Sequence, residues 1–562
     1  MAVKIFTATT GALFWSTASN WSGSTAPTSN GDDDVYANGK TIYFDSNVNV
    51  SILTTATAPV TGGLAGGTFN HSGSTTLNIT ATNFIANNTP TAGIRNLSTG
   101  TLNIFSPIIS GGSTANGTTT NVGVITNQST GTLNISGVTL NAGATANNHF
   151  VYNTVGGAVN ITGDVRSNLA NGVINVSNGA LSIVGNIIAG TGASNLACIA
   201  NNGNANLRIV GNYISGGTAY AITIGGTLGS INISVNSIHG GTAGGAVNNS
   251  VANTNVNITG NVYSCKVTGA FATILNAAAG VINVSGASHE SGTSGGIGEG
   301  FRNTLGGTIR IIGNIVGSST SNSPATVSFI RNGITAPGNS TIFITGNVIT
   351  QNVGAIASPA ANAGVIYNEN TNSNLYIVGN VNGGTVANAV AITNASTGGV
   401  YITGSVSGGT NATLTPAINN VSSGIVDVSN AIAGTAYPAI ISTNVSARNI
   451  IRSGMTYTNG ISPYYAYRIQ SGLSTSAQTI TAYDTNNNYR VLSTSGYTSS
   501  LPNVTDVRSG TTYGAIGNRL TGTMAVPTSG QTSLGVPVDN TRGSAVLSIT
   551  DMSALLRSFL TK

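Results

Sequence analysis

The sequence predicts an all-β chain, a single-stranded parallel β-helix (β-solenoid) of about 14 coils near 25 residues each. Three observations predict it. A short phrase of alternating aliphatic and polar residues recurs 14 times along the chain. An Asn recurs six residues ahead of that phrase in 9 of the 14 copies, against about two expected from composition. The composition itself is that of a coil repeat: 76 Gly, 71 Asn and only 6% charged residues among 562.

Residues 1–60 precede the regular repeat and read as an N-terminal cap. They hold both tryptophans, Trp15 and Trp21, an acidic turn at Asp32, Asp33 and Asp34, and the stretch from Val35 to Phe44, which suggests a hairpin or a first irregular coil. A solenoid end exposes unpaired strand edges, so a cap is expected there.

Residues 61–434 carry the repeat. Typical copies are Val159-Asn160-Ile161-Thr162-Gly163 and Leu207-Arg208-Ile209-Val210-Gly211. The copies start at residues 77, 102, 133, 159, 181, 207, 231, 256, 282, 309, 342, 375, 400 and 426. The first position is always aliphatic, and the third is Ile or Val. That is the period-2 alternation of a half-buried strand. Gly stands fifth in 10 of the 14 copies, where it ends or bends the strand. No run of helical period accompanies the repeat, which excludes the helical solenoids of similar repeat length. At about 4.8 Å per coil, fourteen coils make a rod roughly 65–70 Å long.

The leading Asn residues are Asn96, Asn127, Asn153, Asn175, Asn201, Asn276, Asn303, Asn394 and Asn420. Stacked at a corner, their amides can satisfy one another, donor to acceptor, from coil to coil. In five copies the position is His71, Gly225, Ser250, Ala336 or Glu369. An insertion displaces the Asn of the run Phe329-Ile330-Arg331-Asn332.

Composition shifts after residue 434. Residues 61–434 contain 7 basic and 5 acidic residues, whereas the much shorter 435–562 contain 9 and 4. Residues 435–501 gather tyrosines and read as a small β-rich region. Residues 502–562 read as an extended arm and a short helix for assembly or attachment. In that helix Met552, Leu555, Leu556 and Phe559 fall at i, i+3, i+4 and i+7, a stripe that needs a partner at this length.

The composition excludes several function classes. The net charge of +5 is a small excess over a nearly uncharged background with four Lys, which argues against nucleic-acid binding. No apolar run reaches the length of a membrane span, so no membrane insertion is expected. Nothing after Met1 resembles a secretory leader. Two cysteines, Cys198 and Cys265, are too few for a disulfide scaffold or a structural zinc site. No cofactor or metal is expected, and the Asp32–Asp34 run reads as a surface turn before it reads as a calcium site.

Polysaccharide-cleaving chemistry needs paired carboxylates or an acidic calcium cluster with a basic residue. The repeat holds only Asp164, Glu290, Glu299, Glu369 and Asp427. Asp164 occupies a turn position where other copies have Asn. His289, Glu290 and Glu299 bracket one Gly-rich loop and form the single polar cluster, a candidate glycan or metal contact that reads first as a solvated loop. No catalytic residue is assigned, and the chain is expected to be non-enzymatic.

The solenoid pattern, with the phrase from Phe14 to Gly23 and the run from Asp33 to Lys40, resembles bacteriophage tail-spike and fibre proteins and, more weakly, the passenger domains of bacterial adhesins. The C-terminal phrases Asp506 to Tyr513, Leu520 to Pro527 and Gly535 to Thr541 are similar to tails of phage and prophage virion proteins. The resemblance implies a virion structural protein, a fibre, spike or capsid decoration. It would be made in the host cytoplasm, homotrimeric, in contact with other virion proteins and with a possible host-surface glycan. A glycan-depolymerising tail spike and a bacterial surface adhesin are the alternatives.

Overall fold

The computed structural model describes residues 2–453 except 11–12, 29, 55–67, 87–92, 112–121, 143–147, 168–170, 191–196, 227–228, 242–243, 265–271, 291–298, 318–327, 334–338, 350–364, 384–389, 409–416, 433–438 and 443–447. Beyond 453 it describes four short strands. The chain divides into Met1–Ala466 and Tyr467–Lys562.

The first unit is a parallel β-solenoid. One face is a sheet of 23 strands and a second is a sheet of 16 strands. Every described pairing within these two sheets is parallel, coil to next coil. In the first sheet the start residues of all fourteen phrases lie in one unbroken row. It begins Leu77, Leu102, Leu133, Val159, Leu181 and ends Leu375, Val400, Val426. The third residues of the phrases form a second inward row, and both rows are buried. Alternation therefore does what the sequence requires of it: aliphatic side chains of each coil lie on those of the next, and the polar residue between them faces out.

The second sheet supplies the opposite wall with shorter strands. Ile94, Ile125, Val151 and Val173 stack in register, and the row continues through Ile274, Phe301 and Ile330 to Ile440. The sixteen strands of this sheet run from Thr41–Tyr43 to Ile440–Ser442, so the stack is longer than the fourteen phrases. Parallel pairing in the first sheet likewise begins at Val3–Ile5 and continues to Arg448–Ser453.

The phrase glycines mark a bend in the first-sheet strands. At Gly346, φ is +152°, and a Cβ would lie 2.1 Å from the carbonyl oxygen of Gly313 in the preceding coil. At this coil step a Cβ would collide with backbone, so position 346 takes only glycine. The Asn that often follows turns its side chain to the next coil: Asn186 Oδ1 accepts from the Asn212 N–H at 3.0 Å, and Asn347 Oδ1 from the Asn380 N–H at 2.9 Å. Asp164 takes the same part, accepting from the Asn186 N–H at 3.0 Å, as its position in the turn suggests.

An aromatic plug closes the N-terminal end of the core. Trp21 meets Phe6 edge-on at 4.9 Å and Trp15 at 5.0 Å, and Trp15 packs on Phe44, which stacks on Phe69. The Trp21 indole N–H donates to the Trp15 carbonyl at 2.8 Å, so its one polar atom is satisfied. The Val35–Phe44 stretch is an irregular coil and not a hairpin. Its strands Asp34–Tyr36 and Thr41–Tyr43 belong to different sheets, with a turn at Asn38 and Gly39, both at positive φ.

The second unit contains two antiparallel pairs, Thr481–Tyr483 with Tyr489–Val491 and Thr512–Tyr513 with Leu520–Thr521. Met552, Leu555, Leu556 and Phe559 lie outside the described residues.

Candidate functional site

Two polar constructions inside the solenoid stand out: an amide ladder in the second sheet and a charge network on its outer side.

The ladder forms because most second-sheet strands turn an apolar residue inward and, two residues later, an Asn. All nine Asn residues expected at the corner are there, and all are buried. His71 Nδ1 meets Asn96 Oδ1 at 3.0 Å, and the Asn96 amide donates to Asn127 Oδ1 at 2.8 Å. Asn127 donates to Asn153, Asn153 to Asn175 and Asn175 to Asn201, each at 2.9 Å. Each amide carries a second N–H, and it closes the local turn. Asn153 donates to the Gly157 carbonyl at 3.0 Å and Asn303 to Gly307 at 2.7 Å. One side chain thus serves two tasks, joining coils and fixing the corner within a coil.

The ladder has members that the fixed six-residue spacing missed. Asn249, Asn332 and Asn368 occupy rungs where the spacing pointed to Ser250, Ala336 and Glu369. The intervening turn is longer there, by one residue at Asn249 and Asn368 and by four at Asn332. The run from Asn249 through Asn276, Asn303, Asn332, Asn368 and Asn394 to Asn420 is hydrogen-bonded throughout, at 2.8 to 3.1 Å. Between the two runs Ile224 stands in register with Asn201 and Asn249.

The polar cluster of His289, Glu290 and Glu299 is not one site. His289 and Glu290 end the strand Val281–Glu290, and Glu299 begins the strand Glu299–Asn303. His289 is fully buried. Its Nδ1 accepts from the Val262 N–H at 3.2 Å, and its Nε2 lies 3.2 Å from the Ile312 carbonyl, which makes Nε2 the protonated nitrogen. Burial holds its pKa below the ordinary value. It is a core bridge between coils. Glu290 faces outward and accepts from the Ser288 hydroxyl at 3.1 Å.

Glu299 turns elsewhere, with only 1% of its side chain exposed. It hydrogen-bonds the Arg302 guanidinium and lies 3.4 Å from Arg331. Arg331 reaches on to Glu369 at 2.7 Å and lies over the Tyr367 ring. Two carboxylates and two guanidinium groups therefore share one network across three coils. Burial alone would lower the Arg302 pKa, but the Glu299 hydrogen bond and charge outweigh it and the net shift is upward. Burial raises the Glu369 pKa against the pull of Arg331. The charges balance within the network, as a buried ion cluster requires. Sequence reasoning saw the two Glu residues but not their partners, which stand 3 to 38 residues away and meet through coil register.

The acidic turn is a closed structure. Asp33 is buried, and its Oδ2 accepts from the Thr28 N–H at 2.7 Å and the Thr28 hydroxyl at 2.9 Å. Cys198 is buried, and burial pushes its thiol up to about 11, so it stays protonated and inert. Among the described residues no group of three His, Cys, Asp or Glu is placed to hold a metal ion, and no helix is long and apolar enough to cross a membrane.

Comparison with family models, curated proteins and solved structures found no match to this chain.

Proposed function

We propose that the chain is a non-enzymatic structural protein of a bacteriophage particle, a fibre, spike or capsid decoration in which the solenoid is a stiff spacer. The observation that carries this reading is the ladder. The buried amides are spent on coil-to-coil bonds, so the fold devotes its internal polar groups to axial continuity. The charge network supports the same reading, because Glu299 and Glu369 are engaged with Arg302 and Arg331 and so are ill suited to protonate or attack a substrate. The virion assignment rests on the resemblance of the N- and C-terminal phrases.

In this reading residues 435–562 join the rod to its own protomers, as a trimer, or to another virion protein, with Met552, Leu555, Leu556 and Phe559 as the anchoring stripe. Mass spectrometry of purified particles against a cell-surface fraction tests the assignment. Recovery in the surface fraction and not in particles refutes it. Deletion of 548–562 should leave a folded solenoid that no longer assembles, read by light scattering after size exclusion. An unchanged oligomeric state in that variant removes the anchor from the terminal helix.

A further inference from the structure

The second residue of each phrase faces out from the first sheet, and these residues form one straight row along the solenoid axis. In its N-terminal part Asn78, Asn103, Asn134 and Asn160 follow one another in register. Their amides are joined: Asn103 donates to Asn78 Oδ1 at 2.7 Å, Asn134 to Asn103 at 2.7 Å and Asn160 to Asn134 at 2.8 Å. Each inner amide uses one N–H and one oxygen lone pair on its neighbours. A second N–H and a second lone pair remain for a ligand. These residues line a hollow of about 420 Å³ together with the ring of Phe105, which is 52% exposed.

Farther along the same row stand two cations, Arg208 and Arg310, with Asn232, Asn257 and Asn283 on the three coils between them. Four coil steps separate the two arginines by about 19 Å. Among the described residues neither makes an ion pair with a carboxylate. Arg310 lies over the Phe343 ring, its Cζ 5.4 Å from the ring centre, a contact that positions the cation on the outer row.

We infer that this row binds a linear acidic polysaccharide lying along the solenoid axis, with Arg208 and Arg310 on its anionic groups and the Asn amides on its hydroxyls. The geometry suits that class of ligand. An amide with a free donor beside a free acceptor matches a pair of neighbouring hydroxyls. One coil step of about 4.8 Å is close to the length of one sugar ring in an extended glycan. An exposed ring such as Phe105 offers a face for the C–H side of a sugar. The wide spacing of the two cations fits a polymer with sparse charge. A nucleic-acid strand, charged at every residue, would call for a denser basic track.

The test is retention of the full-length chain on immobilised hyaluronan, polygalacturonate, dextran and oligo-deoxythymidine at one fixed salt concentration. Retention on at least one of the two acidic polysaccharides, weaker retention on dextran, and at least tenfold weaker acidic binding by Arg208→Gln/Arg310→Gln support the inference. Arg208→Lys/Arg310→Lys should recover part of the loss, and thermal melts of both variants must match the parent so that loss of fold is excluded. Failure to bind either acidic polysaccharide overturns the inference, as does parent-like binding by the Gln double variant. Oligo-deoxythymidine bound as tightly as the polysaccharides also overturns it, by making the row a general polyanion surface. None of these outcomes depends on whether the chain is recovered from particles.

Discussion

Asn303→Ala removes an internal rung of the amide ladder, and the structure sets the size of the effect. Asn303 Oδ1 accepts from Asn276 at 3.0 Å, and its Nδ2 donates to the Gly307 carbonyl at 2.7 Å and to Asn332 Oδ1 at 3.1 Å. Alanine deletes these three bonds, and with them a longer shared contact from Nδ2 to the Thr341 carbonyl at 3.3 Å, in a fully buried setting. At about 1 kcal/mol net per bond the loss is about 3 kcal/mol. Asn201 provides an internal control. It accepts from Asn175 at 2.9 Å and donates to the Ala205 carbonyl at 3.3 Å, but the next rung is Ile224 and offers no acceptor. Asn201→Ala should therefore cost about 2 kcal/mol, and the difference of about 1 kcal/mol isolates one amide–amide bond. Stability in stacked repeats is local, so the assay is native-state hydrogen exchange read by peptide, backed by urea melts. The 276 and 332 strands should lose protection first in Asn303→Ala. If Asn303→Ala melts and exchanges like the parent, or if Asn201→Ala costs more than Asn303→Ala, the ladder does not hold the coils as argued.

Three further predictions follow from the geometry. Gly346→Ala sets a Cβ against the Gly313 carbonyl and should prevent soluble expression, whereas Gly156→Ala, with nothing within 4 Å of the new Cβ, should express and melt like the parent. His149 is buried, and burial alone pushes its pKa down to about 4 from 6.5. The unfolded chain takes up a proton as pH falls below 6.5 that the folded chain refuses until about 4. Stability should therefore drop across that window by about 3 kcal/mol from this residue. His71 and His289 shift the same way, and His149→Phe should flatten the dependence of the melting temperature on pH. Arg302→Met removes one of the two guanidinium groups that balance the buried Glu299 carboxylate, leaving Arg331 at 3.4 Å, and should cost somewhat less than the roughly 3–5 kcal/mol of a fully unpaired buried charge, while Glu299→Gln/Arg302→Met should recover part of it; equal urea midpoints for the two variants would contradict a buried ion network.

The fold was legible because its core obeys a strict local rule. Leu133 and Ile135, or Leu375 and Ile377, announce their burial by alternation alone, and every coil repeats the message. The Asn corner was legible wherever the turn between Asn and phrase keeps its length. It was lost at Asn249 and Asn368, where one added turn residue moved the side chain out of frame without moving it in space. His289 read as a loop residue because the strand bulges between Ser285 and Ser288, which interrupts the alternation just before it. The Glu299 network lay beyond reach for a different reason. Its contacts join coils whose separation depends on turns of unequal length, so no fixed spacing encodes them.

One coil departs from both internal regularities at once. It carries Ile224 where its neighbours carry the corner Asn, and Val235 where they carry the bend Gly. A beam under tension or twist parts at its weakest plane, and this plane sits within the solenoid, remote from both ends. The corner ladders on either side pull in series but do not cross it; what crosses is the backbone pairing and outer contacts such as Asn236 to Asn212 at 2.7 Å. Force applied along the axis should therefore split the solenoid into a block ending near Asn201 and a block beginning near Asn249, each still internally braced. A tether fixed at one end and loaded at the other would yield there first, as a single discrete extension, before either block gives way.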